Sequence, residues 1–244
     1  MILYSNSCSF GASGQGHKIY PEVVAESLSA ELHNNGRNGS CNRRIIRSSL
    51  RSLIELTKTN KKITALIGLT FLSRTELWQP HLSAVDNDGD FHSISNQKII
   101  DLDWSKGINK TINPNVHEYA DDEVKDYYKH WLIHYSKEGA ITDLISDLIM
   151  LHSFAVNNNI NILIFSNCER FPGHPDVDRQ SPFLASLLDY VKLNTNIIDP
   201  WDFSFADFAL ELGHTPKDAK QFGLNGHPGK QAHEDFGKYL LKYV

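Results

Sequence analysis

The opening of the chain constrains its fold most. Three apolar residues, Ile2-Leu3-Tyr4, run into a Gly- and Ser-rich loop from Ser5 to Gly16, and Val24, Leu28 and Leu32 then recur at helical spacing after Pro21. A short buried strand, a small-residue loop and a helix with proline in its first turn make the first half of a βαβ unit. Such loops lie at strand carboxyl ends, where α/β sheets bind ligands. A second loop, Asn34-Asn35-Gly36-Arg37-Asn38-Gly39-Ser40, precedes another helical pattern formed by Ile46, Leu50, Leu53 and Ile54. Ile63 to Ile67 reads as a buried strand closed by Gly68, and Ile160 to Phe165 as another closed by Ser166-Asn167. Between them the pattern predicts a polar hairpin from His81 to Leu102, an insertion spanning 79–103, and a helical stretch from about Asp121 to Asn157 divided at Gly139. His233, Phe236, Leu240 and Tyr243 mark a last amphipathic helix. The alternation predicts one domain over 1–244, a three-layer α/β/α flavodoxin-like fold with a mainly parallel sheet and right-handed crossovers.

Composition narrows the partners. A hydrophobic fraction of 41% and a charged fraction of 22% belong to an ordinary globular chain, and 244 residues suit one well-buried core. A net charge of −5 gives no global field to gather phosphates, so no nucleic-acid partner is expected. The first residues lack a secretory leader, and no run approaches the ~18 uninterrupted apolar residues of a membrane span. Cys8, Cys41 and Cys168 are too few and too irregular for a disulfide framework or a cysteine-rich zinc site. A cytoplasmic protein without a membrane partner is the expectation; the oligomeric state is left open.

Several residues could carry acyl-transfer chemistry, in which a serine needs a base within hydrogen-bond reach and donors aimed at the developing oxyanion. Ser9 lies in Ser7-Cys8-Ser9-Phe10-Gly11, directly after the first strand; the plainer reading is a turn whose serines cap the next helix. Gly39 allows close approach of its N–H, and Asn42 offers a two-proton amide, although both also suit a loop and N-cap. Arg74 could clamp an anion or pair with Glu76 or Glu55. His227, in Asn225-Gly226-His227-Pro228-Gly229, has a backbone that Pro228 keeps extended, which helps aim its ring out of the loop. His233 belongs to a helix face as packing or as support for the site.

In this order, Cys8-Ser9-Phe10, Asn38-Gly39-Ser40-Cys41-Asn42 before a basic helix, Ile67-Gly68-Leu69-Thr70 with Arg74 and Glu76, and Gly226-His227-Pro228 with His233 resemble the SGNH/GDSL hydrolases. More narrowly they are similar to the branch whose first block reads Gly-Cys-Ser-Phe-Thr, and to tailed-phage (cyanophage) members. The resemblance spans nearly the whole chain through four short motifs. It implies Ser9 as nucleophile, its N–H and that of Gly39 with an asparagine in the oxyanion hole, and His227 as base. The family's third-block asparagine has no match, since Thr70 stands near its place, and Asn42 is the substitute donor. The aspartate expected three residues before the histidine is replaced by Leu224, with Asn225 next, which can orient the ring but not neutralise it. Ser7 fits an alternative frame of the first block.

Two distracting motifs carry no site. Asp86-Asn87-Asp88-Gly89-Asp90 lacks the terminal glutamate of a calcium loop and reads as a hairpin tip, and His174-Pro175-Asp176 lacks a second ligand pair. No metal and no cofactor are expected. The resulting expectation is a serine esterase acting on a small-molecule or carbohydrate ester, with Thr70 and Arg74 toward the substrate and Asn225, His233 and Glu76 behind the site. An O-acetyl sugar is the first class by analogy with the fold. A phage binding or assembly protein that kept the fold without catalysis is the alternative, and a serine acyltransferase the third.

Overall fold

Ile2–Asn6 forms strand β1, with all five side chains buried. A 3-10 turn over Ser9–Gly11 follows, then helix α1 over Tyr20–Ser27, strand β2 over Glu31–Asn34, helix α2 over Asn42–Thr57 and strand β3 over Ile63–Leu69. After the long connection come helix α3 over Lys137–Asn157, strand β4 over Asn161–Ser166, the short strand β5 over Asn196–Ile197, helix α4 over Phe205–Glu211 and helix α5 over Lys230–Leu240. This computed structural model describes residues 1–13, 16–37, 40–72, 130, 134, 136–168, 196–198, 203–214 and 227–244.

The five strands form one sheet in the order β2-β1-β3-β4-β5, and every neighbouring pair is parallel. This is the flavodoxin-like doubly wound order, 2-1-3-4-5. In register, Ile2 of β1 lies opposite Ile63, and Asn6 opposite Ile67. The carboxyl ends of β1, β3 and β4 therefore finish side by side, and the loops after them share one edge.

Side chains alternate across the sheet, as the period of two requires. Ile2, Tyr4, Ile63, Ala65, Ile67, Ile162 and Ile164 face one side, where they pack against Ile45, Ile46 and Leu53 of α2 and Ile141, Ile145, Leu148 and Leu151 of α3. Leu3, Leu66, Leu163 and Phe165 face the other, under Tyr20 and Val24 of α1, Phe205 of α4 and Phe236 and Leu240 of α5. Two cores on opposite faces make the three-layer α/β/α architecture. The stretch Gly139–Asn157 is long and apolar enough to cross a membrane by length and composition alone. Its Leu144, Leu148 and Leu151 are instead buried against the sheet, as in the core helix of a globular domain.

Local details differ from the sequence reading. Leu32 lies on β2 rather than on the first helix, because the helix ends at Ser27 and Ser29 takes the left-handed conformation at φ 48°. A period of four cannot by itself distinguish one more helical turn from a short strand placed just after it. Gly68 lies inside β3, which continues to Leu69. The predicted helical stretch breaks at Ser136 rather than at Gly139, which sits in the first turn of α3 with its N–H capped by Ser136 Oγ at 3.1 Å. Ile54 points outward at 45% exposure, and Tyr243 lies beyond the end of α5. The hairpin insertion at 79–103, the aspartate-rich tip at 86–90 and the His174 motif lie outside the described residues.

Candidate active site

The polar end of β1 is where the site begins. Asn6 faces α2, its amide nitrogen within 2.8–3.0 Å of Ile45 O, Ser48 Oγ and Ser49 Oγ. Beyond it the chain turns sharply: Cys8 caps the 3-10 turn, whose Gly11 N–H returns to Cys8 O at 3.1 Å. Gly11 must be glycine for space, because a Cβ there would collide with Ser7 Oγ and the Tyr20 hydroxyl. The turn presents Ser9 half-buried while Cys8 and Phe10 on either side are buried.

The last loop comes back to the same place. His227 Nε2 lies 2.6 Å from Ser9 Oγ, although the two residues are 218 positions apart. The imidazole packs on Phe10, ring centroids 5.1 Å apart, and Phe10 in turn meets Phe205 edge-on at 6.0 Å. The residue after the serine thus forms the apolar support of the histidine. With Nε2 unprotonated the contact is an O–H···N hydrogen bond of the length that general-base catalysis requires.

Ser7 is differently placed. It is fully buried, and its hydroxyl donates to the Cys8 carbonyl at 3.1 Å beside the Tyr20 hydroxyl. Of the two serines the frame left open, only Ser9 meets the histidine among the described hydrogen bonds.

The loop after β2 docks on this turn. Arg37 N–H donates to Ser7 O at 3.0 Å, and Asn34 at the end of β2 gives its amide to Gly11 O at 2.8 Å while accepting Gly36 N–H at 2.9 Å. Asn34 is a brace that sequence reasoning treated only as loop; its signal is an asparagine ending a strand just before a Gly-rich turn. Gly39 lies outside the described residues, but Arg37 and Ser40 on either side are held against the site, Ser40 N–H and Oγ both bonding Arg37 O.

Asn42 and Thr70 depart from their expected roles. The Asn42 carboxamide turns to the backbone of Thr70, accepting its N–H at 2.7 Å and donating to its carbonyl at 3.0 Å. A two-point grip of this kind mimics a strand pairing, and it ties the start of α2 to the end of β3. Thr70, expected to face substrate, is fully buried, with its hydroxyl 3.3 Å from Cys168 Sγ. Cys168 Sγ also lies 3.3 Å from Cys8 Sγ, a non-bonded contact between thiols that joins the β1 and β4 ends beneath the site. Together these residues form the floor of the site. Arg74, Glu76 and Asn225 lie outside the described residues.

His233 sits behind His227, fully buried on α5. Its Nδ1 accepts the Tyr20 N–H at 3.2 Å, and its ring stacks on that of Tyr20 at 5.9 Å. Burial, reinforced by the neighbouring His17 and His227, pushes its pKa down to about 3, so this imidazole is neutral at ordinary pH. The Tyr20 hydroxyl is pushed up by burial and is likewise un-ionised. Among the described residues no group of three His, Cys, Asp or Glu side chains is placed to hold a metal ion.

No family model matches this sequence, and no curated protein matches it. The solved structures to which the chain is similar include three that align with 99% of its length. One is a protein from Desulfitobacterium hafniense assigned to the lipolytic G-D-S-L family, at 12% identity, 98% of that chain and TM-score 0.47. Another is the psychrotrophic esterase EstA of a Pseudoalteromonas species, inhibited by monoethylphosphonate, at 10% identity, 95% of that chain and TM-score 0.46. The third is a protein from Parabacteroides merdae assigned to the GDSL-like lipases, at 15% identity, 94% of that chain and TM-score 0.45. The fold assignment rests on the strand order and register described above.

Proposed function

We propose that the chain is a serine-dependent hydrolase of acyl esters, of SGNH/GDSL type. The observation that carries the reading is the 2.6 Å approach of His227 Nε2 to Ser9 Oγ at the carboxyl edge of a parallel sheet. Serine attacks poorly unless a base removes its proton, and an imidazole nitrogen at this distance is placed to be that base. Ser9 Oγ attacks the acyl carbonyl while its proton passes to His227 Nε2. The tetrahedral oxyanion collapses, the ester C–O bond breaks, and the same proton leaves with the alcohol. Water then repeats the sequence on the acyl-Ser9 ester, releasing the acid and restoring the hydroxyl.

The oxyanion donors in this reading are the Ser9 and Gly39 amides. Asn42 supports them by fixing Thr70, since its carboxamide is engaged with that backbone. Electrostatic donors of this kind supply on the order of 3 kcal/mol each in related chemistry. Arg74 and Glu76 follow β3 in the sequence, and Arg74 suits a carboxylate or phosphate on the substrate. An O-acetylated sugar is the substrate class to test first.

The test is turnover of p-nitrophenyl acetate by the wild type, Ser9→Ala and Ser7→Ala proteins. Hydrolysis by the wild type that disappears in Ser9→Ala supports the reading, and hydrolysis that survives both changes refutes it. Product that forms only after an acceptor alcohol is added would assign acyl transfer in place of hydrolysis. An inert wild type would assign a binding role.

A further inference from the structure

His233 lies in a cluster that has no packing need for a polar ring. It stands edge-on to Phe205 at 5.0 Å, parallel to Tyr20 and 5.2 Å from the ring of His17. Phenylalanine would keep those ring contacts without the cost of burying two nitrogens. A polar ring there therefore needs a reason, and one is visible at Nδ1. Tyr20 is the first residue of α1, and first-turn N–H groups have no partner within their own helix. Pro21 brings no N–H, and Glu22 and Val23 return theirs to Ile19 O, while Tyr20 N–H is accepted by His233 Nδ1 at 3.2 Å. The other ring nitrogen, Nε2, is buried without a hydrogen-bond partner among the described residues, so the ring's polar link runs from Nδ1 to the start of α1.

That link joins the two segments that matter. Tyr20 begins the helix that follows the Ser9 loop, and His233 stands on α5, whose N-cap Gly229 is two residues after His227. We propose that His233 is a positioning residue, a clamp between the start of α1 and the segment after His227 that holds Ser9 Oγ and His227 Nε2 at hydrogen-bond distance. The clamp rests on the reading of that pair as nucleophile and base. It requires a neutral ring with Nδ1 as acceptor and the proton on Nε2. Burial keeps the ring in that neutral form, with a pKa of about 3. A displacement of about 1 Å between reacting groups lowers rates on the order of 100-fold, so loss of the clamp should appear in kcat.

The experiment compares His233→Phe with His233→Asn on p-nitrophenyl acetate, with Ser9→Ala alongside. Asparagine places Oδ1 the same number of bonds from the backbone as Nδ1 and can accept the Tyr20 N–H; phenylalanine cannot. The Phe variant should lose about 10- to 100-fold in kcat with KM within about twofold, and the Asn variant should recover to within about fivefold of wild type. A merely structural ring would give equal losses in both variants, or none, and that result overturns the clamp. Nitrogen NMR of the wild-type protein supplies a readout that does not depend on any variant folding: Nδ1 unprotonated and Nε2 protonated is expected, and an Nδ1–H tautomer overturns the proposal. If Ser9→Ala is inactive while His233→Phe keeps wild-type kcat, only the clamp fails. Turnover that survives Ser9→Ala overturns the pair and the clamp with it.

Discussion

The two faces of the sheet are built from different materials. The side covered by α2 and α3 is mainly aliphatic, with Ile, Leu and Ala around the buried Tyr4, and the strand amide of Asn6 is received there by Ile45 O and two serine hydroxyls. The side covered by α1, α4 and α5 is aromatic, with Tyr20, Phe165, Phe205 and Phe236 packed in edge and stacked pairs 4.2–5.6 Å apart. Only the second face holds His233 and leads through Phe10 to His227. Aliphatic side chains fill space and exclude water, whereas flat rings also fix the orientation of a neighbouring imidazole. The difference teaches a division of labour: one face supplies cohesion, the other holds a polar pair at a set angle and distance.

The division can be broken by substitutions that should act on one side only. His227→Ala removes the base and should lower kcat/KM by about three orders of magnitude or more, with thermal stability little changed. Leu53→Ala, fully buried on the aliphatic face, should cost about 2–5 kcal/mol in urea unfolding and leave kcat of the folded fraction intact. A large kcat defect there would mean that the faces are not separable.

Acid should weaken the aromatic face specifically. The His233 pKa falls from 6.5 to about 3 on folding, so the unfolded chain binds a proton that the folded chain refuses between those values. This neutral-ring stability is complete above about pH 6.5 and is lost as the pH falls toward 3. At about pH 4 the loss should amount to roughly 3 kcal/mol, and His233→Asn should remove that part of the pH dependence. An unchanged pH profile in the variant would show that another group dominates. The smallest effect belongs to the surface pair Lys58–Glu55 at the end of α2, 2.6 Å apart and exposed: Lys58→Ala should change stability by no more than about 0.5 kcal/mol and activity not at all.

Much of this layout was legible in the residues, for identifiable reasons. β1, β3 and β4 are each centred on a short, largely apolar run, the signature of strands buried on both faces, and they fell within a residue or two of their predicted limits. β2 was missed because only one of its four residues, Leu32, is apolar and the strand lies at the sheet edge. β5 is two residues long, too short for any period to show. Ser9 and His227 could be singled out because each stands in a loop framed by Gly, Pro or small residues, although nothing in their spacing along the chain says that they meet. Asn42 was harder to place: a buried carboxamide can aim at a ligand or at a neighbouring backbone, and only the position of Thr70 across the fold decides between them.

The central claim is that Ser9 is made nucleophilic by His227, and labelling by a fluorophosphonate mapped by mass spectrometry tests it most directly. The account predicts a single adduct on the peptide holding Ser9, retained in Ser7→Ala, absent in Ser9→Ala and formed far more slowly in His227→Ala. An adduct on another serine, or equal labelling rates with and without the imidazole, would contradict it.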